Sequence, residues 1–120
     1  QDMVDHNIRS ACELAGGAQN LFTHVKTHKS EAVTGKQIEV GIDSFKCATV
    51  KELEMMLQVG ARRAILAYPQ TQTCKIEWLL DVAASYPDAW IATITSSPLH
   101  LEMLGNVATR RLFICLLCAY

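Results

Sequence analysis

Two histidines and two lysines lie within the six positions from His24 to Lys29, in a chain of which half the residues are hydrophobic. The apolar pair Leu21-Phe22 precedes this cluster, and Ser30-Glu31-Ala32 follows it as a typical helix start. A polar cluster between a strand and a helix is where α/β proteins commonly place their functional residues. We therefore predict that Lys26 is a reactive residue and that the remaining elements position it.

Strand geometry would give Lys26 a defined environment. If an extended strand covers about 21–26 and continues a little further, His24, Lys26 and His28 point to one side of it. A lysine nearly buried at the C-terminal end of a parallel strand loses hydration of its charged form, and the nearby charge of Lys29 acts in the same direction. Both effects favour the neutral amine that a Schiff base requires. We expect pyridoxal phosphate, or an aldehyde or ketone substrate, as its partner.

Other interpretations of the cluster stay open on local sequence alone. His24 and His28 have the spacing of a zinc pair on a helix, although no third ligand is apparent. Lys29, Ser30 and the following helix N-terminus could form a phosphate site, which is compatible with a Schiff base on Lys26. The cluster could also be a solvated loop without chemistry.

Candidates outside the cluster are few. Tyr68 ends a predicted strand. Its side chain either reaches the edge of the sheet where the cluster lies or packs beside Pro69. We predict that His6 and His100 lie on helix surfaces. The sequence contains no Gly-rich dinucleotide loop, no Walker sequence and no Ser/His/Asp arrangement with a supporting spacing.

Composition limits the classes of partner. A chain of 120 residues is enough for one domain with a hydrophobic core, and its net charge of −1 provides no basic field for nucleic acid or a membrane surface. The sequence has no apolar span long enough for a transmembrane helix. Five cysteines without a framework spacing predict reduced thiols. We therefore expect a cytoplasmic protein without nucleic-acid or membrane partners.

Hydrophobic periodicity predicts five helices and five strands in alternation. Helices are predicted at about 3–16, 30–40, 49–60, 73–86 and 97–108, with Ser30, Thr49, Thr73 and Ser97 as N-caps, and strands at about 21–26, 44–48, 64–68, 89–94 and 112–118. Strands that are apolar throughout predict a parallel sheet covered by helices. A (β/α)8 barrel, which needs about 250 residues, would be represented by its first five βα units. The alternative is a complete five-stranded doubly wound sheet. The stop directly after an apolar strand favours the barrel.

Three segments resemble one enzyme family in order and spacing. His24-Val25-Lys26-Thr27-His28-Lys29-Ser30 is similar to the H-V-K-T-H-K-S stretch of the D-threonine aldolase and D-serine dehydratase group. This group belongs to the alanine racemase-like (fold type III) pyridoxal phosphate enzymes. The similarity continues through Phe45-Lys46-Cys47-Ala48-Thr49, then Gly60-Ala61, then Ala64-Ile65-Leu66-Ala67-Tyr68-Pro69.

The resemblance implies a fold and an activity. It implies a (β/α)8 barrel followed by a C-terminal β domain, so that residues 1–120 are a single partial domain without the β domain. It implies a lyase acting on D-amino acids, of the D-threonine aldolase or D-serine dehydratase type, through a Schiff base between Lys26 and pyridoxal phosphate. His28 and Tyr68 are further candidates for cofactor binding. The family's divalent metal would take its ligands from the C-terminal domain, so no metal ligand is assigned in this chain.

The chain departs from the family in one motif position and in extent. Phe22-Thr23 stands where the family usually has Arg-Pro, which removes an arginine contact to the ring or phosphate.

We expect a homodimer for the full-length protein. A non-catalytic pyridoxal phosphate carrier and an inactive fragment are the alternative functions. Because a partial barrel leaves strand edges unpaired, we expect the 120 residues alone to self-associate and to be nearly inactive.

Overall fold

Helices and strands alternate through residues 3–110 and 117–119, the part of the chain that the computed structural model describes. The α-helices are α1 (Met3–Leu14), α2 (Glu31–Glu39), α3 (Val50–Val59), α4 (Thr73–Ser85) and α5 (Pro98–Arg110). The strands are β1 (Thr23–His24), β2 (Ser44–Cys47), β3 (Arg63–Leu66), β4 (Trp90–Ile94) and β5 (Leu117–Ala119), and short 3-10 helices cover Ala18–Asn20 and Val25–Thr27. The predicted order of elements is confirmed. Of the predicted last strand, residues 112–116 lie outside the described residues.

The strands form one parallel sheet in the order β1-β2-β3-β4-β5. Each strand therefore lies beside the one that precedes it in the chain. Each helix from α1 to α5 contacts the next one, so the helices form a continuous layer. Right-handed crossovers between sequential parallel strands place such helices on one face of the sheet. A doubly wound sheet reverses its strand order at a switch point. The doubly wound alternative is therefore wrong, and the order is that of a (β/α)8 barrel.

The hydrophobic core lies between the sheet and this layer of helices. Phe45 of β2 and Leu66 of β3 are fully buried in one cluster with Leu53 and Met56 of α3. Burying apolar side chains of this size supplies most of the free energy that favours folding. A second, smaller cluster joins α4 to α5 around Ile76.

The opposite side of the sheet, which we call the inner face, is more polar. His24, Lys46, Ile65 and Ala92 are register partners across β1 to β4. Register partners in a parallel sheet point to the same side, and successive residues of a strand alternate between sides. Lys46 thus lies on the inner face while its neighbour Phe45 enters the core. The prediction of strands that are apolar throughout is wrong for β2, which alternates.

Capping bonds set several of the helix starts. Ser30 Oγ accepts a hydrogen bond from the N–H of Val33 at the start of α2, and Ser97 Oγ accepts one from the N–H of His100. These bonds confirm two of the predicted N-caps. Thr73 was predicted as the cap of α4, but it is the first helical residue, and Gln72 is the N-cap. Within the described residues, no helix is both long and apolar enough to span a membrane.

Candidate functional site

Lys26 lies on a turn that follows directly after β1. Nδ1 of His24 accepts a hydrogen bond from the N–H of Lys26 at 3.3 Å, and Thr27 Oγ1 donates one to the carbonyl of His24 at 3.2 Å. Such bonds between side chains and the local backbone stabilise a turn at the expense of an extended strand. The strand therefore ends at His24, and the 3-10 helix Val25–Thr27 replaces its predicted continuation. The prediction that His24, Lys26 and His28 share one side of a strand is wrong.

The side chain of Lys26 reaches the end of β3. Its Nζ donates a hydrogen bond to the hydroxyl of Tyr68 at 3.4 Å and lies 5.6 Å from the centre of that ring. Tyr68 follows β3 by two residues and is about half exposed. The C-terminal ends of parallel strands meet at one edge of the sheet, and this edge brings the two side chains together. Lys26 itself is exposed, because it stands on a turn outside the sheet. The expectation of a nearly buried lysine is wrong.

Lys29 is turned towards a carboxylate of the next βα unit. Its Nζ lies 3.3 Å from Oε1 of Glu52, which is buried in the first turn of α3. The other oxygen of Glu52, Oε2, accepts a hydrogen bond from the N–H of Ala48 at 2.8 Å. The charge of Lys29 is thus offset by a carboxylate, which weakens the effect on Lys26 that the sequence analysis expected from it. Phosphate binding by Lys29 would compete with this ion pair.

His28 is half-buried and faces the start of α2. Its Nδ1 accepts a hydrogen bond from the N–H of Ser30 at 3.1 Å, while its Nε2 is buried without a hydrogen-bond partner. Burial lowers the pKa of His28 below 6.5. In the described part of the chain, no hydrogen bond joins His28 to Lys26 or Tyr68. The sequence placed the three residues at one site, and the structure brings only Lys26 and Tyr68 into contact.

The imidazole of His24 is also held in its neutral form. Burial lowers the pKa of His24, the ammonium groups of Lys26 and Lys46 lower it further, and the carboxylate of Glu52 raises it. The neutral form suits the geometry, because only an unprotonated Nδ1 can accept the hydrogen bond from the N–H of Lys26. His24 and His28 thus both act as backbone acceptors, His24 at Lys26 in the turn and His28 at Ser30 before α2.

A row of aromatic and basic side chains crosses the inner face below the site. The guanidinium of Arg63 lies 5.4 Å from the ring centre of Phe22 and 5.4 Å from that of Trp90. The ammonium of Lys46 lies 6.0 Å from the ring centre of Phe22. Stacking of a cation on aromatic faces at these distances is favourable. We call Phe22, Arg63 and Trp90 the inner-face row.

His100 links α5 to the loop that carries Tyr68. It was predicted on a helix surface, but only 2% of it is exposed. A ring nitrogen of His100 (Nε2) lies 2.8 Å from the carbonyl oxygen of Gln70, and Gln70 Nε2 donates to the carbonyl of Tyr68 at 2.9 Å. The surface prediction is wrong. His100, Leu104 and Val107 are buried at helical spacing, and this periodicity was the signal for an inward-facing position.

No metal centre is formed by the residues that the structure describes. Residues 3–110 and 117–119 contain no group of three or more His, Cys, Asp or Glu side chains that could hold a metal ion. His24 and His28 lie on either side of a 3-10 turn, not on one face of a helix, and each uses Nδ1 to accept a backbone hydrogen bond.

The chain is similar to solved structures in fold, at low sequence identity. D-threonine aldolase from Filomicrobium marinum matches with a TM-score of 0.78 and 20% identity, over 96% of this chain and 31% of that chain. The arginine decarboxylase of Paramecium bursaria Chlorella virus matches with a TM-score of 0.68 and 13% identity, over 96% of this chain and 29% of that chain. The same enzyme bound to agmatine gives the same values. No family model matches the chain, and no curated protein matches it in sequence.

The chain therefore spans about a third of the length of the solved structures that it matches. The motif resemblance was to a group that includes D-threonine aldolase, and a D-threonine aldolase is among the matched structures. At these identities the likeness establishes the fold. The described residues form part of a TIM-type (β/α)8 barrel, as the sequential parallel sheet indicates.

Proposed function

We propose that this protein is a pyridoxal phosphate-dependent enzyme in which Lys26 carries the cofactor as a Schiff base. The observation that carries the proposal is the amine of Lys26, exposed at the C-terminal edge of the sheet and within 3.4 Å of the Tyr68 hydroxyl. The motif resemblance over 24–69 and the fold similarity to D-threonine aldolase support it. The proposed reaction class is that of a lyase acting on D-amino acids, of the aldolase or dehydratase type.

The residues at this edge fit the chemistry of the cofactor's aldehyde. Among the described residues, Lys26 makes no ion pair, so its amine is not tied to a carboxylate. Lys26 would hold the cofactor through a carbon–nitrogen double bond between its amine nitrogen and the aldehyde carbon, with release of one water molecule. The step needs no oxidant or reductant, and the proton that leaves the ammonium must have an acceptor.

The neighbouring side chains would orient this amine and move its proton. The hydroxyl of Tyr68 is within hydrogen-bond distance of Lys26 Nζ, and it can accept a hydrogen bond from the ammonium or donate one to the amine. The ring face of Tyr68 also attracts the ammonium and holds the side chain at the edge of the sheet. His28 offers a buried Nε2 without a partner as a further contact near the turn. When bound, pyridoxal phosphate supplies an electron sink for bond cleavage at the substrate α-carbon.

The finer parts of the proposal rest on the motif resemblance. They are a D-amino acid as substrate, a divalent metal held by residues outside this chain, and a homodimer for the full-length protein. A cytoplasmic location is supported by the thiols of Cys12, Cys47 and Cys74, which are free.

Borohydride trapping tests the central assignment. The protein is mixed with pyridoxal phosphate and reduced with borohydride, and the modified lysine is identified by peptide mass spectrometry. We expect a visible absorbance band before reduction and a fixed pyridoxyl group on Lys26. Lys26→Ala should lose both, while Lys75→Ala, a matched change of an exposed lysine on α4, should keep both. A band of full strength in Lys26→Ala would reject the proposal.

Substrate trials separate the finer alternatives. An aldolase releases glycine and an aldehyde from D-threonine, and a dehydratase releases pyruvate and ammonia from D-serine. We expect turnover of one of these by the full-length gene product, and metal dependence is measured by adding and chelating divalent ions. Tight cofactor binding on Lys26 without turnover of either amino acid would instead support a non-catalytic carrier.

A further inference from the structure

The turn that carries Lys26 closes with a residue in a strained conformation. The N–H groups of His28 and Lys29 both donate to the carbonyl of Val25, at 3.2 and 2.7 Å. Lys29 has a φ of 48°, in the left-handed region that residues other than glycine rarely adopt. A strained backbone conformation persists where the surrounding structure holds it. The turn therefore needs a contact that holds Lys29 in place.

The ion pair between Lys29 and Glu52 supplies this contact. The side chain of Glu52 is 6% exposed, whereas that of Lys29 is 65% exposed. A buried carboxylate requires partners for both oxygens. One oxygen of Glu52 is bonded to Ala48, and the backbone N–H of Glu52 is bonded to Thr49 Oγ1, so the carboxylate is fixed from the α3 side. Its second oxygen then anchors Lys29.

We infer that Glu52 is a positioning residue for Lys26. It acts through Lys29 to hold the turn over residues 25–29, which keeps the amine of Lys26 beside the hydroxyl of Tyr68. The contacts that hold residues 25–29 are observed in the structure, whereas their effect on cofactor attachment rests on the proposed function. A positioning role predicts a slower covalent step, because the amine meets the aldehyde in fewer productive orientations, with little change in the preceding non-covalent association.

The test measures these two steps separately. The rate of the absorbance change is recorded at increasing pyridoxal phosphate, which yields a limiting rate constant and a half-saturating concentration. In Glu52→Gln we expect the limiting rate constant to fall about tenfold, with the half-saturating concentration changed by less than about twofold. Lys29→Met, which removes an exposed partner, should show a smaller loss of the same kind. Lys29→Arg keeps the ion pair and should restore the rate.

Hydrogen exchange makes the outcome independent of the cofactor. The amides of His28 and Lys29 should exchange faster in Glu52→Gln and Lys29→Met than in the parent or in Lys29→Arg. Unchanged exchange and an unchanged limiting rate in both variants would overturn the inference. If Glu52→Gln does not fold, Lys29→Met decides the same question. If the parent never modifies Lys26, the proposed function fails, and the exchange data still accept or reject the positioning role.

Discussion

The first two βα units of the sheet pass from strand to helix in different ways. β2 reaches α3 through Ala48 and Thr49 alone, and α3 buries five of its ten residues. β1 reaches α2 through a 3-10 helix and a strained lysine, and α2 buries only Thr34 among its nine residues. The two units are neighbours in one sheet, yet the second is anchored by apolar burial along its helix, whereas the first combines one buried apolar residue in its turn, Val25, with several polar bonds.

This contrast shows where local opening is expected. Apolar burial is lost only when the core is disrupted, whereas polar bonds at a half-exposed turn break in small fluctuations. The reactive candidate Lys26 lies in the unit that depends on polar bonds. The ion pair between Lys29 and Glu52 then takes on importance, because it ties the less stable unit to the more stable one.

The largest effect on the free energy of unfolding is expected when equivalent positions in α2 and α3 are compared. Leu53 and Thr34 are each the fourth residue of their helix, and both are fully buried. Leu53→Ala should lower the free energy of unfolding by about 3 kcal/mol through the cavity it leaves. Thr34→Ala removes a hydrogen bond to the carbonyl of Ser30 and should cost about 1 kcal/mol. Urea denaturation measures both, and equal losses would contradict the contrast between the units.

The N-caps of α2 and α3 allow a second comparison, in which the two substitutions should lower the free energy of unfolding by similar amounts. Ser30→Ala and Thr49→Ala each remove a hydroxyl that accepts a helix N–H, so each should cost about 1 kcal/mol. The consequences should differ in location. Hydrogen exchange in Ser30→Ala should rise in residues 25–34 and leave α3 unchanged. In Thr49→Ala it should rise throughout the core, and a purely local effect there would show that α3 is not the anchored unit.

Acidification should loosen the first unit before the second. The pKa values of His24 and His28 are lowered in the folded state, so the unfolded chain binds protons more readily at these positions. Their contribution to stability is complete above pH 6.5, the ordinary value, and is lost as the pH falls through their lower folded values. Protonation at Nδ1 also breaks the backbone hydrogen bonds of both rings. We expect the protection factors of the amides of residues 25–30, which correct for the intrinsic pH dependence of exchange, to fall as the pH drops below 6.5, and to fall less in His28→Gln. Protection factors that stay constant with pH would refute this.

The smallest effect is expected for Lys29→Gly. Glycine adopts a positive φ without strain, which favours the folded turn, but the substitution removes the ion pair between the exposed ammonium of Lys29 and the buried carboxylate of Glu52, and it adds freedom to the unfolded chain. These contributions nearly cancel, so the free energy of unfolding should change by less than about 0.5 kcal/mol. Thermal unfolding measures it. A loss of more than about 2 kcal/mol would mean that the ion pair stabilises the fold as a whole, beyond the usual range for ion pairs at the protein surface.

Local pattern was enough to predict the elements and a parallel sheet covered by helices, but it left the barrel and the doubly wound sheet both open. Helix caps such as Ser30 and Ser97, and the left-handed glycine Gly60 after α3, are signals carried by neighbouring residues. The early end of β1 was missed because the side chains of His24 and Thr27 bond to the local backbone, a competition that apolar spacing does not reveal.

Long-range partners of the candidate site were the harder part. Periodicity suggested that Tyr68 reaches the edge where Lys26 lies, because parallel strands end together. Nothing local indicated that Lys29 pairs with Glu52, since the two residues lie in successive βα units and meet only when the strands are in register. The burial of His100 was visible only as part of a helical spacing that includes Leu104.

The inner-face row places a fluorescent side chain, Trp90, on the inner face of the sheet. Trp90 is fixed in β4 by its place in the sheet and by the guanidinium of Arg63, which is itself stacked on Phe22. The fluorescence of such an indole depends on what comes close to the inner face of the sheet. A ligand attached at Lys26 that absorbs where tryptophan emits would lower the emission of Trp90 by energy transfer. The fold thus contains its own emission probe, with Trp78 on α4 as an internal reference on the helical side.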